Sequence, residues 1–206
     1  MPRHKDAERE KVMSETRQLL LDAASEEFAK EGFKGANINR ISIAAGFAKG
    51  TVYNYFESKR ALMLALIDEI AKGHLELMTQ QVLKEDDPAR RLELFFEFGF
   101  VWVTDNLPQG RVLFSTLNGP DMEFKTRMYE AYLPMFQLVG QDILALGIEQ
   151  GIFRNLEPVS TAGLIMTIYL GTGSQVNEQG EQWFPPAQVS DFILKSLQAD
   201  DNLQSE

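Results

Sequence analysis

Cysteine is absent from the 206 residues, so disulfides, thiolate metal sites and cysteine nucleophiles are excluded. Histidine is scarce. Only His4, in a polar leader, and His74, in an expected helix, are present, too few for a multi-histidine metal site. No apolar run approaches the roughly 20 residues of a membrane span. The longest, Gly163 to Leu170, falls far short. The opening MPRHKDAEREK lacks the apolar core of a signal peptide, so a soluble, cytoplasmic chain with no membrane role is expected. Period-2 alternation, the mark of a half-buried strand, persists nowhere.

The apolar fraction of 44% is ordinary for a globular protein. The length allows one large domain or a small domain joined to a larger one. Lys and Arg number 20 against 30 Asp and Glu, a net charge of -10 that looks hostile to nucleic acid. The distribution is uneven, however. Residues 1–60 hold 11 basic and 9 acidic side chains, whereas residues 61–206 hold 9 and 21. Phosphate binding depends on local positive surface, so the first segment is a candidate DNA-binding module.

Helical spacing recurs from end to end. A first helix is expected from about Ser14 to Glu31, with Leu20, Ala24 and Phe28 on one buried stripe and Gly32 as its left-handed terminator. Asn37 then caps a short helix, Ile38 to Ala45, with Ile38 and Ile41 facing inward. Gly46 ends it, and helical pattern resumes at Lys49. Two short helices joined by a three-residue, Gly-containing turn make a helix-turn-helix. A long helix follows from Ser58, with Leu62, Leu66 and Ile70 spaced by four. After the break Glu85-Asp86-Asp87-Pro88, helices are expected near 89–105, 108–117, 121–149, 158–178 and 186–198, with Pro134 kinking or ending the third. The organisation is therefore all-α: a flexible charged leader (1–13), a helix-turn-helix domain (14–60) and a larger helical domain (61–206).

Residues 16–66 resemble the N-terminal domain of TetR-family transcriptional regulators. The resemblance rests on Ala24 and Phe28, Gly32-Phe33, Ile41, Ala45-Gly46, Lys49-Gly50-Thr51, Tyr53, Tyr55-Phe56, Ser58-Lys59 and Leu62. It implies that Lys49 to Tyr55 is a recognition helix lying in the major groove. Lys49, Tyr53, Tyr55 and Lys59 are then expected on the DNA backbone, and Thr51 and Asn54 on phosphate or base. Asn37, Asn39 and Arg40 are expected to face the flanking backbone. The residues read the same way by themselves. Lys49 brings charge, Gly50 lets a phosphate approach the backbone, and the hydroxyl and amide groups suit phosphates and base edges. Phe47 and Val52 would pin the helix to the core. The leader's Arg-His-Lys adds charge. One departure stands out, since Ala48 holds the place where relatives carry a Ser or Thr cap.

Aromatic residues crowd the second half, with Phe95, Phe96, Phe98, Phe100 and Trp102 on one helix. They cover too many faces for one core, so a ligand or another helix is expected over part of them. Phe98, Trp102, Tyr129, Tyr132 and Tyr169 are the candidate pocket for a small, apolar or aromatic effector. The last two helices offer Gly163, Met166, Leu170, Val189, Phe192, Ile193 and Leu197 as a candidate dimer surface. Packing of this stripe within its own subunit is the alternative. In the family the corresponding helices pair as a four-helix bundle, presenting two reading heads to an inverted-repeat operator in double-stranded DNA.

Catalysis is not expected. The carboxylates near the aromatic stretches, Glu97, Asp105, Asp121, Glu123 and Glu130, have no motif spacing. Gly171-Thr172-Gly173 lacks the strand and glycines of a dinucleotide site, so no cofactor is expected. The reading is a homodimeric repressor released from its operator by a small-molecule effector. A transcriptional activator of the same architecture, or a carrier that does not bind DNA, are the alternatives.

Overall fold

The computed structural model describes residues 2–173, 175, 177 and 181–198, with side chains from residue 8 onward. The leader's Arg3, His4 and Lys5 side chains lie outside that set. Among the described residues there is no strand, and an isolated bridge pairs Phe153 with Gln198. The fold is all-α.

Helix α1 runs Pro2–Gly35, with a break at Gly32, where φ is 67°. It begins well before the expected Ser14. The apolar stripe marks only the packed part, where Leu20, Leu21, Ala24 and Phe28 are buried. The earlier turns are rich in Glu, Lys and Arg, good helix formers. Accordingly Val12 and Met13 stay more than half exposed, at 55% and 58%.

Helix α2 (Ile38–Ala44) is capped as its sequence predicts. The Asn37 side chain accepts from the Asn39 and Arg40 amides at 2.9 and 3.4 Å. Its end is a Schellman motif around Gly46, with φ 84°. The Phe47 amide donates to the Ser42 carbonyl at 2.8 Å and the Gly46 amide to Ile43 at 3.0 Å. A 3-10 turn, Thr51–Asn54, precedes α3 (Lys59–Val82).

Then come α4 (Pro88–Asp105), α5 (Leu107–Asn118) and α6 (Met122–Gln137). Pro134 neither ends nor simply kinks α6. It supplies no amide hydrogen to the ladder, and the helix widens into π form over Leu138–Ala145 before α7 (Leu146–Glu149). Helices α8 (Pro158–Gly173) and α9 (Pro186–Leu197) complete the described chain.

The chain divides into two compact units. Unit 1 is Met1–Ile70 with Arg111–Met128, so it holds the helix-turn-helix together with most of α5 and the start of α6. Unit 2 is Ala71–Gly110 with Tyr129–Glu206. In unit 2, α4 is the central helix, packed by α9, α8, α7 and the π segment. That surround covers several faces of α4. Phe95, Phe96, Phe100, Trp102 and Val103 are buried and Phe98 is half-buried. The crowding of aromatics read from the sequence is thus met by the chain's own helices.

Candidate nucleic-acid interface and aromatic cluster

Val52 anchors the reading turn. It is fully buried, and its amide donates to Ser42 Oγ, itself buried, at 3.2 Å. With Val52 pinned inward, Lys49, Tyr53 and Asn54 are exposed, while Gly50, Thr51 and Tyr55 are half-buried. The element is shorter than the expected helix over 49–55. Gly50 has a left-handed φ of 81°, which no helical residue adopts, so regular structure starts only at Thr51. Ala48 has no side-chain oxygen with which to cap an earlier start.

Other expected contacts have local work to do as well. Arg40 is held by Glu27 at 2.7 Å and by Glu31 at 3.6 Å. The hydrogen bond that Arg40 donates to Glu27 raises its pKa further above the ordinary guanidinium value. Lys59 Nζ donates to the carbonyls of Lys34 and Ala36 at 3.1 and 3.0 Å and lies over the Phe33 ring. It therefore closes the C-terminal end of α1. Even so, Asn37, Asn39, Tyr53 and Lys59 share the wall of one open concavity of about 370 Å³. The structure thus gathers four of the expected contact residues at one place beside the turn.

Arg60, which sequence reading passed over, ties α3 to the start of α6. Its guanidinium pairs with Asp121 at 2.9 Å and with Glu123, and stands 4.6 Å from the centre of the Phe124 ring. The Arg60 hydrogen bond holds the Asp121 carboxyl below its usual range. Farther along the same two helices, Asp68 pairs with Arg127 at 2.7 Å.

In unit 2, three of the five expected pocket residues converge on His74. Tyr132 Oη lies 3.1 Å from Nδ1, and Tyr169 Oη lies 2.9 Å from Nε2. The indole of Trp102 stacks on the imidazole at 4.1 Å, with the planes only 6° apart. Phe98 is half-buried and Tyr129 is exposed, and neither has a recorded contact with His74. His74 itself was legible only as the next member of the row Leu62, Leu66, Ile70. Complete burial lowers its pKa to about 3, so the ring is neutral. Burial raises both tyrosine hydroxyls as well.

The proton count in this cluster is uneven. A neutral imidazole offers one N–H and one acceptor, and each tyrosine adds an O–H. Two hydrogen bonds therefore consume two of three hydrogens. The tyrosine that accepts from the imidazole keeps its own hydroxyl hydrogen, aimed at no protein group among the described residues.

The candidate dimer residues divide. Met166, Val189, Ile193 and Leu197 are buried inside their own subunit, which is the packing alternative. Gly163 and Leu170 are half-buried. Phe192 is 69% exposed, and α8 adds exposed Leu164 and Val159, which the sequence reading did not single out.

A short α-helix and a 3-10 turn on either side of Gly46, with a polar exposed edge on the second, define a helix-turn-helix module followed by further helices. Residues 20–66 match the model of bacterial regulatory proteins of the tetR family. The uncharacterized HTH-type transcriptional regulator YdgC of Bacillus subtilis (strain 168) is 32% identical over 96 residues, 45% of this chain and 49% of that protein. The match thus spans about half the length of that relative. The fatty acid metabolism regulator protein of the same organism is 24% identical over 132 residues, 64% of this chain and 68% of that one. Beyond the matched domain, the likeness is one of fold. FadR from Bacillus subtilis, crystallised with stearoyl-CoA, has a TM-score of 0.76 at 22% identity, covering 88% of this chain and 97% of that one. The matched family and these relatives are regulators, not enzymes.

Proposed function

We propose that the chain is a DNA-binding transcriptional regulator, acting in the cytoplasm as a homodimeric repressor released from an inverted-repeat operator by a small effector. The observation that carries this reading is the turn 49–55. Lys49, Tyr53 and Asn54 stand exposed on a buried Val52 anchor, next to a concavity walled by Asn37, Asn39, Tyr53 and Lys59. Lysine and hydroxyl groups there position the duplex through phosphates, and Thr51 and Asn54 meet phosphate or base edges. Gly50 lets the backbone come close, and Tyr55 and Arg40 complete the flanking contacts.

The effector site in this reading is the cluster of Trp102, Tyr132, Tyr169 and His74 in the helical domain. A ligand oxygen accepting the leftover tyrosine hydrogen, with an apolar body against Trp102, fits its chemistry. Phe98 and Tyr129 form the approach. Helix α3 carries both Arg60 and His74, and α6 carries both Glu123 and Tyr132. Movement of either helix by the effector would therefore reach the Arg60 pair beside the helix-turn-helix. Dimerisation uses the exposed apolar residues of α8 and α9, chiefly Phe192 and Leu164 beside Gly163 and Leu170. A two-fold axis there would set two reading turns about 34–36 Å apart, one per half-site.

Capture of duplexes from fragmented DNA of the source organism tests the reading, with Lys49→Ala/Tyr53→Ala as control. Enrichment of a shared inverted repeat by the parent protein alone supports it. Equal recovery by folded parent and control contradicts it and favours the carrier reading.

A further inference from the structure

A cavity that the reading above does not use lies wholly within unit 1. It has a volume of about 570 Å³ and is walled by Phe28, Phe33, Met63, Val112, Thr116 and Phe124, among others. That volume falls in the range of small-molecule sites, roughly 300–1,000 Å³. The wall is mostly apolar. Phe33 stacks on Phe28 at 6.1 Å and meets Phe124 edge-on at 4.8 Å, so the aromatic side is braced.

The carboxylates that reach the cavity already have partners. Asp121 is paired with Arg60 at 2.9 Å, and Glu31 with Arg40 at 3.6 Å. Thr116 is different. It is 6% exposed, and its Oγ1 is buried with no hydrogen-bond partner among the described residues. Leaving a buried hydroxyl unmatched is costly, and most such groups in folded proteins are paired with protein, water or ligand. A neighbouring hydroxyl, Ser115, is satisfied by the Val112 carbonyl at 3.1 Å, which leaves Thr116 as the odd one out.

From these observations we infer that this cavity is a second ligand site, for an uncharged small molecule with an aromatic or alicyclic body and one hydrogen-bonding oxygen that meets Thr116 Oγ1. A charged ligand is disfavoured. Lys34, which also lines the cavity, is exposed rather than part of the buried apolar wall, and burying an ion against that wall without a counter-ion is expensive. The site uses none of the His74 cluster and does not depend on the effector reading given for it.

The test uses the full chain and prodan, an uncharged naphthalene ketone whose emission reports an apolar site. Methyl-labelled methionines give an independent map of where it sits, because Met63 lines this cavity while Met128 and Met166 do not. Saturable binding with intermolecular NOEs to the Met63 methyl is expected. Thr116→Val, which keeps the shape and removes the hydroxyl, should weaken prodan about three- to tenfold. Val112→Trp, which fills the space, should remove the Met63 NOEs. Absence of saturable binding overturns the proposal. So do NOEs confined to Met128 or Met166, or a Thr116→Val affinity equal to the parent's. The NOE map on the parent protein decides even if Val112→Trp fails to fold.

Discussion

Tyr169 lies against Gly99 so closely that a Cβ at Gly99 would overlap its hydroxyl and ring. This contact brings α8 onto α4 and aims the tyrosine at His74, while Phe95, Phe96 and Phe100 pack around its ring. The absent side chain of one helix thus sets the hydrogen bond made by another.

Gly99→Ala is therefore expected to destabilise the protein by about 1–3 kcal/mol, because the new methyl group meets the body of a buried ring. Gly73→Ala, at an exposed position of α3, is the matched control. A Cβ there meets nothing within 4 Å, and alanine is the better helix former, so no loss of stability is expected. Urea unfolding of the two variants against the parent measures both effects.

His74 makes stability sensitive to acid. The unfolded chain binds a proton on this ring near the ordinary histidine value of about 6.5, whereas the folded chain does so only near 3. Between those values the unfolded state holds more protons, so stability falls as pH falls through that window. By pH 5 the ring alone accounts for a loss of about 2 kcal/mol relative to neutral pH. Comparing unfolding midpoints at pH 7 and pH 5 for the parent and His74→Gln checks this. The variant should show a smaller acid loss.

Asn37 caps α2 through its side-chain oxygen, so Asn37→Ala should cost about 1 kcal/mol of stability. Asn37→Asp keeps the capping oxygen and should restore that stability while adding a negative charge beside the expected phosphate path. Thermal unfolding together with DNA affinity separates the two roles. A stable Asp variant with weakened DNA binding is the expected pair of results.

Arg60 stands partly exposed, with 42% of its side chain in solvent, and of its carboxylate partners Glu123 is exposed and Asp121 half-buried. Such solvent-screened pairs contribute little to stability. Arg60→Gln should accordingly unfold almost like the parent and bind operator with similar affinity. Its loss should appear instead in the coupling between effector and DNA, read as a smaller change in operator affinity at saturating effector. Coupling of parental size in this variant would remove Arg60 from the route.

The helix-turn-helix was legible in the sequence because its signals are local. Asn37, Gly46 and the Ile38–Ile41 pair act within a few residues, and the structure uses each as the spacing predicts. The length of the reading element was not legible, since a helical pattern cannot show that Gly50 takes a left-handed φ. The His74 cluster was half legible. Trp102, Tyr132 and Tyr169 stood out as large amphipathic residues, but the group joining them comes from α3. Only tertiary packing brings position 74 to positions 132 and 169. The stripe on α9 shows the same limit, because periodicity marks a buried face without saying whose core buries it. Val189, Ile193 and Leu197 face their own subunit, and Phe192 points outward.

The central claim is that the exposed edge of the 49–55 turn reads DNA sequence, and salt-dependent binding isotherms test it most directly. The parent and Lys49→Ala/Tyr53→Ala would be titrated with a captured inverted-repeat duplex and with its scrambled sequence. The parent is predicted to prefer the repeat over the scramble by at least about a thousandfold at physiological salt. The variant should lose affinity and bind with a shallower salt slope, since fewer phosphate counterions are released. Equal affinity of the folded parent for both duplexes, or a variant indistinguishable from it, would contradict the account.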